Sequence, residues 1–166
     1  VSRVITMAIK YCDGKVPETS HKKKDSLLYG AALKAVSGVE ACFNDMSLHK
    51  ALIAIWEFIN VTNKYIVEKE PWVLEKNQEN KKKLTAIMYD LLAALRAIAI
   101  LISPFMPQAS EKILRQIGVD ESGRLDLASI RKENALTAGS ALIRGESLFP
   151  RIDKEKENHK TTKRES

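Results

Sequence analysis

Residues 48–72 read LHKALIAIWEFINVTNKYIVEKEPW. Within them Leu48, Ala51, Leu52, Ile55, Ile59, Thr62 and Ile66 recur at intervals of three and four. That period places one apolar face along an amphipathic α-helix and excludes the alternation of a half-buried strand. The helix is expected to stop at Glu70-Pro71-Trp72, because proline pushes the residue before it away from helical backbone. An apolar stripe of this length needs other helices to cover it, so the stretch predicts a helical bundle.

The flanking sequence repeats the pattern in both directions. Downstream, Leu84, Ile87, Met88, Leu91, Leu92, Leu95, Ile98, Ala99 and Ile102 form a second regular stripe, broken at Ser103-Pro104. Pro107 is suited to open a further helix over Gln108 to Ile117, with Gly118 as its stop. Upstream, Leu27, Leu28, Ala31, Leu33, Ala35, Val39, Cys42 and Phe43 predict a helix despite Gly30 and Gly38, and Asn44-Asp45 turns the chain, with Asp45 placed to cap the next helix. Val1, Val4, Ile5, Ala8, Ile9 and Cys12 give the first helix, which begins with no cap and no start methionine and so reads as the interior of a longer protein. The polar Thr19–Asp25 stretch is expected to be a loop. Beyond Gly118, Asp126–Arg131 fits a helical turn, Leu142–Ile152 looks extended, and its apolar end Leu148–Ile152 is expected to return along the bundle toward the rest of the longer protein. From Asp153 charges displace apolar residues, which predicts a tail or linker. The reading is all-α: about five main helices plus an extended C-terminal segment, residues 1–152 as the bundle and 153–166 as the charged tail.

Composition narrows the class. The 166 residues hold 27 Lys+Arg against 21 Asp+Glu, a net charge of +6. A chain of this size buries about 70% of its unfolded surface and needs no staple to hold a core. Its two cysteines, Cys12 and Cys42, lie far apart without a CxxC or Cys/His spacing, which argues against a disulfide scaffold and a structural zinc. The longest apolar run, Ala97–Ile102, is far below the roughly 18 residues that span a bilayer, and no leader pattern opens the chain. A cytoplasmic protein without a membrane partner is expected.

Catalytic constellations are missing from this sequence. His21, His49 and His159 have no ligand-spaced neighbours and read as solvated. No phosphate-cradling glycine loop and no nucleophile elbow occurs, and Glu68 and Glu70 point to different sides of a helix end. What remains is a basic helical surface with Trp72 at a helix corner. Two roles fit that ring: a platform on which an unpaired base stacks, or a plug for the end of the bundle. Trp56, one residue off the apolar stripe, reads as flanking core, while Lys22–Lys24 and Lys81–Lys83 read as solvated.

The combination of "AIWEFI" at 54–59, "NKYI" at 63–66 and "EPW" at 70–72, followed by Leu74 and Lys76, closely resembles the anticodon-binding domain of methionyl-tRNA synthetases. Ser2-Arg3-Val4, Lys10–Gly14, the Ile102–Pro107 corner and Leu148–Ile152 are also similar to that family, so the resemblance covers residues 1–152. It implies the helical bundle of the class I anticodon-binding domains. It also implies recognition of the CAU anticodon loop of methionine tRNA, beside an N-terminal Rossmann-type domain that joins ATP, methionine and tRNA. ATP, and zinc in some members, would belong to that catalytic part, whose HIGH and KMSKS signatures are not in this sequence, so no cofactor is expected here. The tail from Asp153 would be the start of a linker to a C-terminal dimerising domain.

Carried over residue by residue, Trp72 matches the family's tryptophan that stacks on the first anticodon base, and Pro71 the proline that shapes its corner. Arg3 matches the arginine of an Asn-x-x-x-Arg anticodon element whose asparagine would precede Val1. Asn63 matches an asparagine on the same side as the corner, for which contact with RNA and a bond across the bundle both stay open. The alternatives are the anticodon domain of a leucine, isoleucine, valine or cysteine synthetase, and a helical protein-interaction module anchored by the corner tryptophan.

Overall fold

The computed structural model describes residues 1–18, 25–119, 126–132, 136–146 and 148–149. Five long helices carry the architecture: α1 (Ser2–Tyr11), α2 (Leu27–Asn44), α3 (Leu48–Lys69), α5 (Lys81–Ile102) and α6 (Pro107–Gln116). Two short ones, α4 (Pro71–Leu74) and α7 (Leu127–Arg131), fill a corner and a seam, and a 3₁₀ turn at Gln78–Asn80 leads into α5. The expected all-α bundle is what forms. All of the loop expected over Thr19–Asp25 except Asp25, and the charged tail at 153–166, lie outside the described residues.

Helix α5 is the axis of the bundle and packs against α1, α2, α3, α4, α6 and α7. Every residue from Ala94 to Ile102 is buried, which is why its second half reads as apolar on all sides rather than as a stripe. By length and hydropathy alone the stretch Gln78–Ile102 could cross a membrane, yet 78% of its most apolar window is covered by the other helices. It also carries two buried polar residues with partners. The Tyr65 hydroxyl donates to Asp90 Oδ2 at 3.3 Å, and Arg96 donates to the Ser129 carbonyl at 3.3 Å and to Ser129 Oγ at 3.0 Å. Those two bonds hold α7, whose own start is capped by Asp126 accepting from the Ser129 amide at 2.8 Å.

Three details of the sequence reading shift. The buried face of α3 is Ala51, Ile55, Phe58, Thr62, Tyr65 and Ile66, rotated toward Phe58 and Tyr65 from the stripe drawn through Ile59. That rotation leaves Leu48 51% and Trp56 49% exposed, so Trp56 is a surface ring and not flanking core. Asp45 does not cap α3. Its amide still bonds to Ala41 and Phe43 carbonyls as the C-cap of α2, and the chain reverses one residue later at Met46, in left-handed backbone, leaving Ser47 at the N-cap of α3.

Residues 140–143 form a strap bonded to two other parts of the bundle. Val16 donates its amide to Ser140 at 2.8 Å, Leu142 to Gly14 at 2.7 Å and Ile143 to Gln116 at 2.9 Å, tying the exit of α1 to the end of α6. Leu142–Glu146 is irregular backbone and Leu148–Phe149 a bend, while Ser147 and 150–152, and with them most of the end expected to return along the bundle, fall outside the described residues. Gly118, the expected stop of α6, sits at φ +69°, and a Cβ there would lie 2.5 Å from the Ala141 carbonyl oxygen of the strap. Left-handed backbone for a residue with a side chain costs about 1–3 kcal/mol before any clash.

Gly118→Ala should thus lower stability by at least that amount, read as a reduced urea midpoint with an unchanged slope. A second outcome concerns Arg131, which grips Glu40 of α2 with two bonds at 2.9 and 2.7 Å. The hydrogen bond from Arg131 holds the Glu40 carboxyl below the ordinary carboxylate value. The pair's contribution is present above the unfolded carboxyl's pKa of about 4.3 and disappears as pH falls through the lower folded value. The difference in melting temperature between the native chain and Glu40→Gln should accordingly be visible at neutral pH and vanish in acid.

Candidate nucleic-acid interface

The corner between α3 and α4 is built from a backbone conflict. Pro71 cannot donate a hydrogen bond and suits the first position of a helix, and it is buried as the first residue of α4. Glu70 before it adopts left-handed backbone, φ 43° and ψ 58°. In that geometry Glu70 closes one helix and opens the next: its amide bonds to the Ile66 carbonyl at 3.2 Å, and its carbonyl accepts from Val73 at 2.8 Å. The reversal carries Trp72 back toward α1.

Trp72 is half-buried and packs against the core. Of the two roles open in the sequence, the ring takes part of each position, since one portion plugs the bundle and the rest faces outward. Over the ring lies the guanidinium of Arg3, its Cζ 4.7 Å from the ring centroid, within the range in which a cation is attracted to an indole face. Arg3 is exposed on α1. Two residues singled out separately in the sequence, some seventy positions apart, are therefore in contact.

Lys10 stands seven residues after Arg3, which is two turns of α1 and so the same face. Its Nζ is 3.7 Å from Glu75 Oε1, just past the end of α4. Arg3–Trp72 and Lys10–Glu75 thus join α1 to the corner at two heights. Sequence reasoning misses the second pair, although the seven-residue spacing from Arg3 is a signal that could have found it. Asn63 is exposed on α3, seven residues before Glu70, so it lies about 10 Å back along the helix and on nearly the same side. Exposure removes the bond across the bundle that was one of its two options.

No catalytic arrangement accompanies these groups. Burial, with Asp13 adding, pushes the Cys12 thiol up to about 11, which keeps it protonated and a poor nucleophile at neutral pH. The Tyr65 hydroxyl is raised by burial and by Asp90 beside it, consistent with a structural donor. Among the described residues there is no group of three or more His, Cys, Asp or Glu able to hold a metal ion.

Comparison with known proteins gives a consistent picture. Residues 16–165 match the family model described as the anticodon binding domain of methionyl tRNA ligase. The methionine–tRNA ligase of Caldanaerobacter subterraneus subsp. tengcongensis is 40% identical over 158 residues, 95% of this chain and 24% of that protein. The ligase of Clostridium perfringens is 36% identical, over 93% of this chain and 24% of its own length. The structure of Mycobacterium tuberculosis methionyl-tRNA synthetase in complex with methionyl-adenylate superposes with a TM-score of 0.77 at 30% identity, covering 90% of this chain and 30% of that one. The chain thus spans about a quarter of the length of the curated relatives it matches.

The left-handed Glu70 generates a stability outcome. Glu70→Gly removes the strain of a side chain in that backbone and should leave the unfolding free energy within about 1 kcal/mol of native. Glu70→Val, with a branched Cβ in the same backbone, should lose about 1–2 kcal/mol. Equal urea midpoints for the two variants would show that the corner relaxes out of left-handed geometry.

Proposed function

The chain belongs to the anticodon-binding domain family of methionyl-tRNA ligases, and from that premise we propose that it reads the CAU anticodon loop of methionine tRNA for a cytoplasmic ligase. The catalytic part of that ligase, with its ATP and in some relatives zinc, lies in the remaining length of the protein. Methionine is favoured over leucine, isoleucine, valine or cysteine because the relatives matched over nearly the whole chain are methionine ligases.

The observation that carries the reading is the contact of Arg3 with Trp72 at the α3–α4 corner. Bases of a single-stranded loop can be splayed out, supported on an aromatic face and identified along their edge by fixed polar groups. Trp72 supplies the face, fixed in direction by Pro71 and Glu70. Arg3 supplies a forked donor next to it, and Asn63, exposed on α3 two turns before Glu70, is a further amide for the RNA. Stacking is worth about 1–3 kcal/mol per base and scarcely distinguishes one base from another. Identification therefore falls to the donors and acceptors around the ring, where a wrong base leaves polar groups unpaired at about 1–3 kcal/mol each.

In the full-length ligase, Trp72→Ala should lower kcat/KM for tRNA by roughly 5- to 150-fold, the kinetic equivalent of one lost stacking contact, while ATP–methionine exchange proceeds as before. Charging of tRNA at the native rate by this variant would overturn the stacking role.

A further inference from the structure

Resting on that function, we propose that Arg3 is a displaceable cap on Trp72: the guanidinium occupies the place of the incoming base and is exchanged for it. The geometry points to this because the ring has its inner part against the core and the guanidinium over it at 4.7 Å, so a base and the cation compete for the same position. A flat guanidinium is itself a stacking group, so it can stand where a base would.

The exchange makes an unspecific platform selective. Lifting Arg3 off the indole has the same cost for every base, since it precedes any contact with the base edge. What differs is the new partner offered to the fork. Cytosine presents two adjacent acceptors, N3 and O2, on its Watson–Crick edge, which suit the paired donors of a guanidinium. Guanine presents two N–H donors and a single acceptor on that edge, so the displaced cation meets donors and gains little. The cost of lifting the cap falls on every first anticodon base alike, and a base of the wrong kind does not recover it through the fork. Arg3 is exposed and joined to the corner through its own side chain, which leaves the swing free of core rearrangement.

The test uses the full-length ligase and RNA stem-loops carrying CAU or GAU, with dissociation constants measured at one fixed salt concentration. Removing the cap in Arg3→Ala should tighten the GAU loop two- to fivefold, the equivalent of one exposed cation–π contact. The same variant should weaken the CAU loop about tenfold or more through the lost charged hydrogen bonds. Arg3→Lys keeps a cation within reach of the ring without the fork, so it should weaken CAU and leave GAU at the native value. An Arg3→Ala variant that binds GAU no better than native, or an Arg3→Lys variant that gains as much for GAU as Arg3→Ala, would overturn the cap. Trp72→Ala separates this from the underlying function. If it weakens CAU while Arg3→Ala leaves GAU unimproved, only the cap fails; if it affects neither loop, the stacking site fails with it.

Discussion

Everything in this bundle is arranged around one helix whose second half has no side to show to water. From Ala94 to Ile102, α5 is buried at every position, so neighbours must be supplied around its full circumference. Helices α1, α2, α3 and α6 provide most of them, and α7 closes a remaining seam. The seam is held with polar bonds because α5 places Arg96 there, and a buried guanidinium needs its donors used. Ser129 answers with both its carbonyl and its hydroxyl. The strap is bonded on both sides as well, to the exit of α1 and to the end of α6.

The recognition corner inherits its rigidity from that core while sitting outside it. Tyr65 and Ile66 pin the end of α3 against α5, and Pro71 is buried on the next turn. Between these anchored points, Glu70 has to accept left-handed backbone. Such a conformation survives only where its surroundings over-determine it. Here it has a consequence for the surface: it fixes the direction in which Trp72 leaves the chain. A more relaxed turn would let the ring fold down among its core neighbours and lose the outward face.

The sequence made the helices legible because their stripes are long and the punctuation is chemical: Pro107 opens α6 and Gly118 ends it. It misplaced features that depend on rotation about a helix axis. A stripe through Ile59 and one through Phe58 differ by a single residue, and only the packing of α2 and α5 against α3 chooses between them. Trp56 moved from core to surface on that choice. The Asp45 cap failed for a related reason, since a left-handed residue at Met46 shifted the helix start by two positions, and no side-chain pattern announces it. Arg3 and Trp72 were legible as individuals through their motifs. Their contact was not, because it requires knowing that α4 folds back across α1.

Net charge alone gives such a surface little power to select an anion. Of the net +6, residues 151–166 contribute six Lys/Arg and four Asp/Glu, or +2, leaving +4 for the rest. Several of the charges that cancel within that sum do so by contact: Lys10 faces Glu75, Lys64 faces Glu68 and Arg131 grips Glu40. A field of this size steers an RNA weakly, and within a Debye length of about 8 Å at physiological salt it is the placed groups that count. Arg3 differs from those lysines in what it leans on. An indole ring attracts a cation without cancelling its charge, so the guanidinium is held in position and remains fully positive. A carboxylate in the place of Trp72 would position it equally well but would neutralise it, and would offer a base nothing to stack on. The pairing of arginine with tryptophan thus keeps both the charge and the face available at one corner.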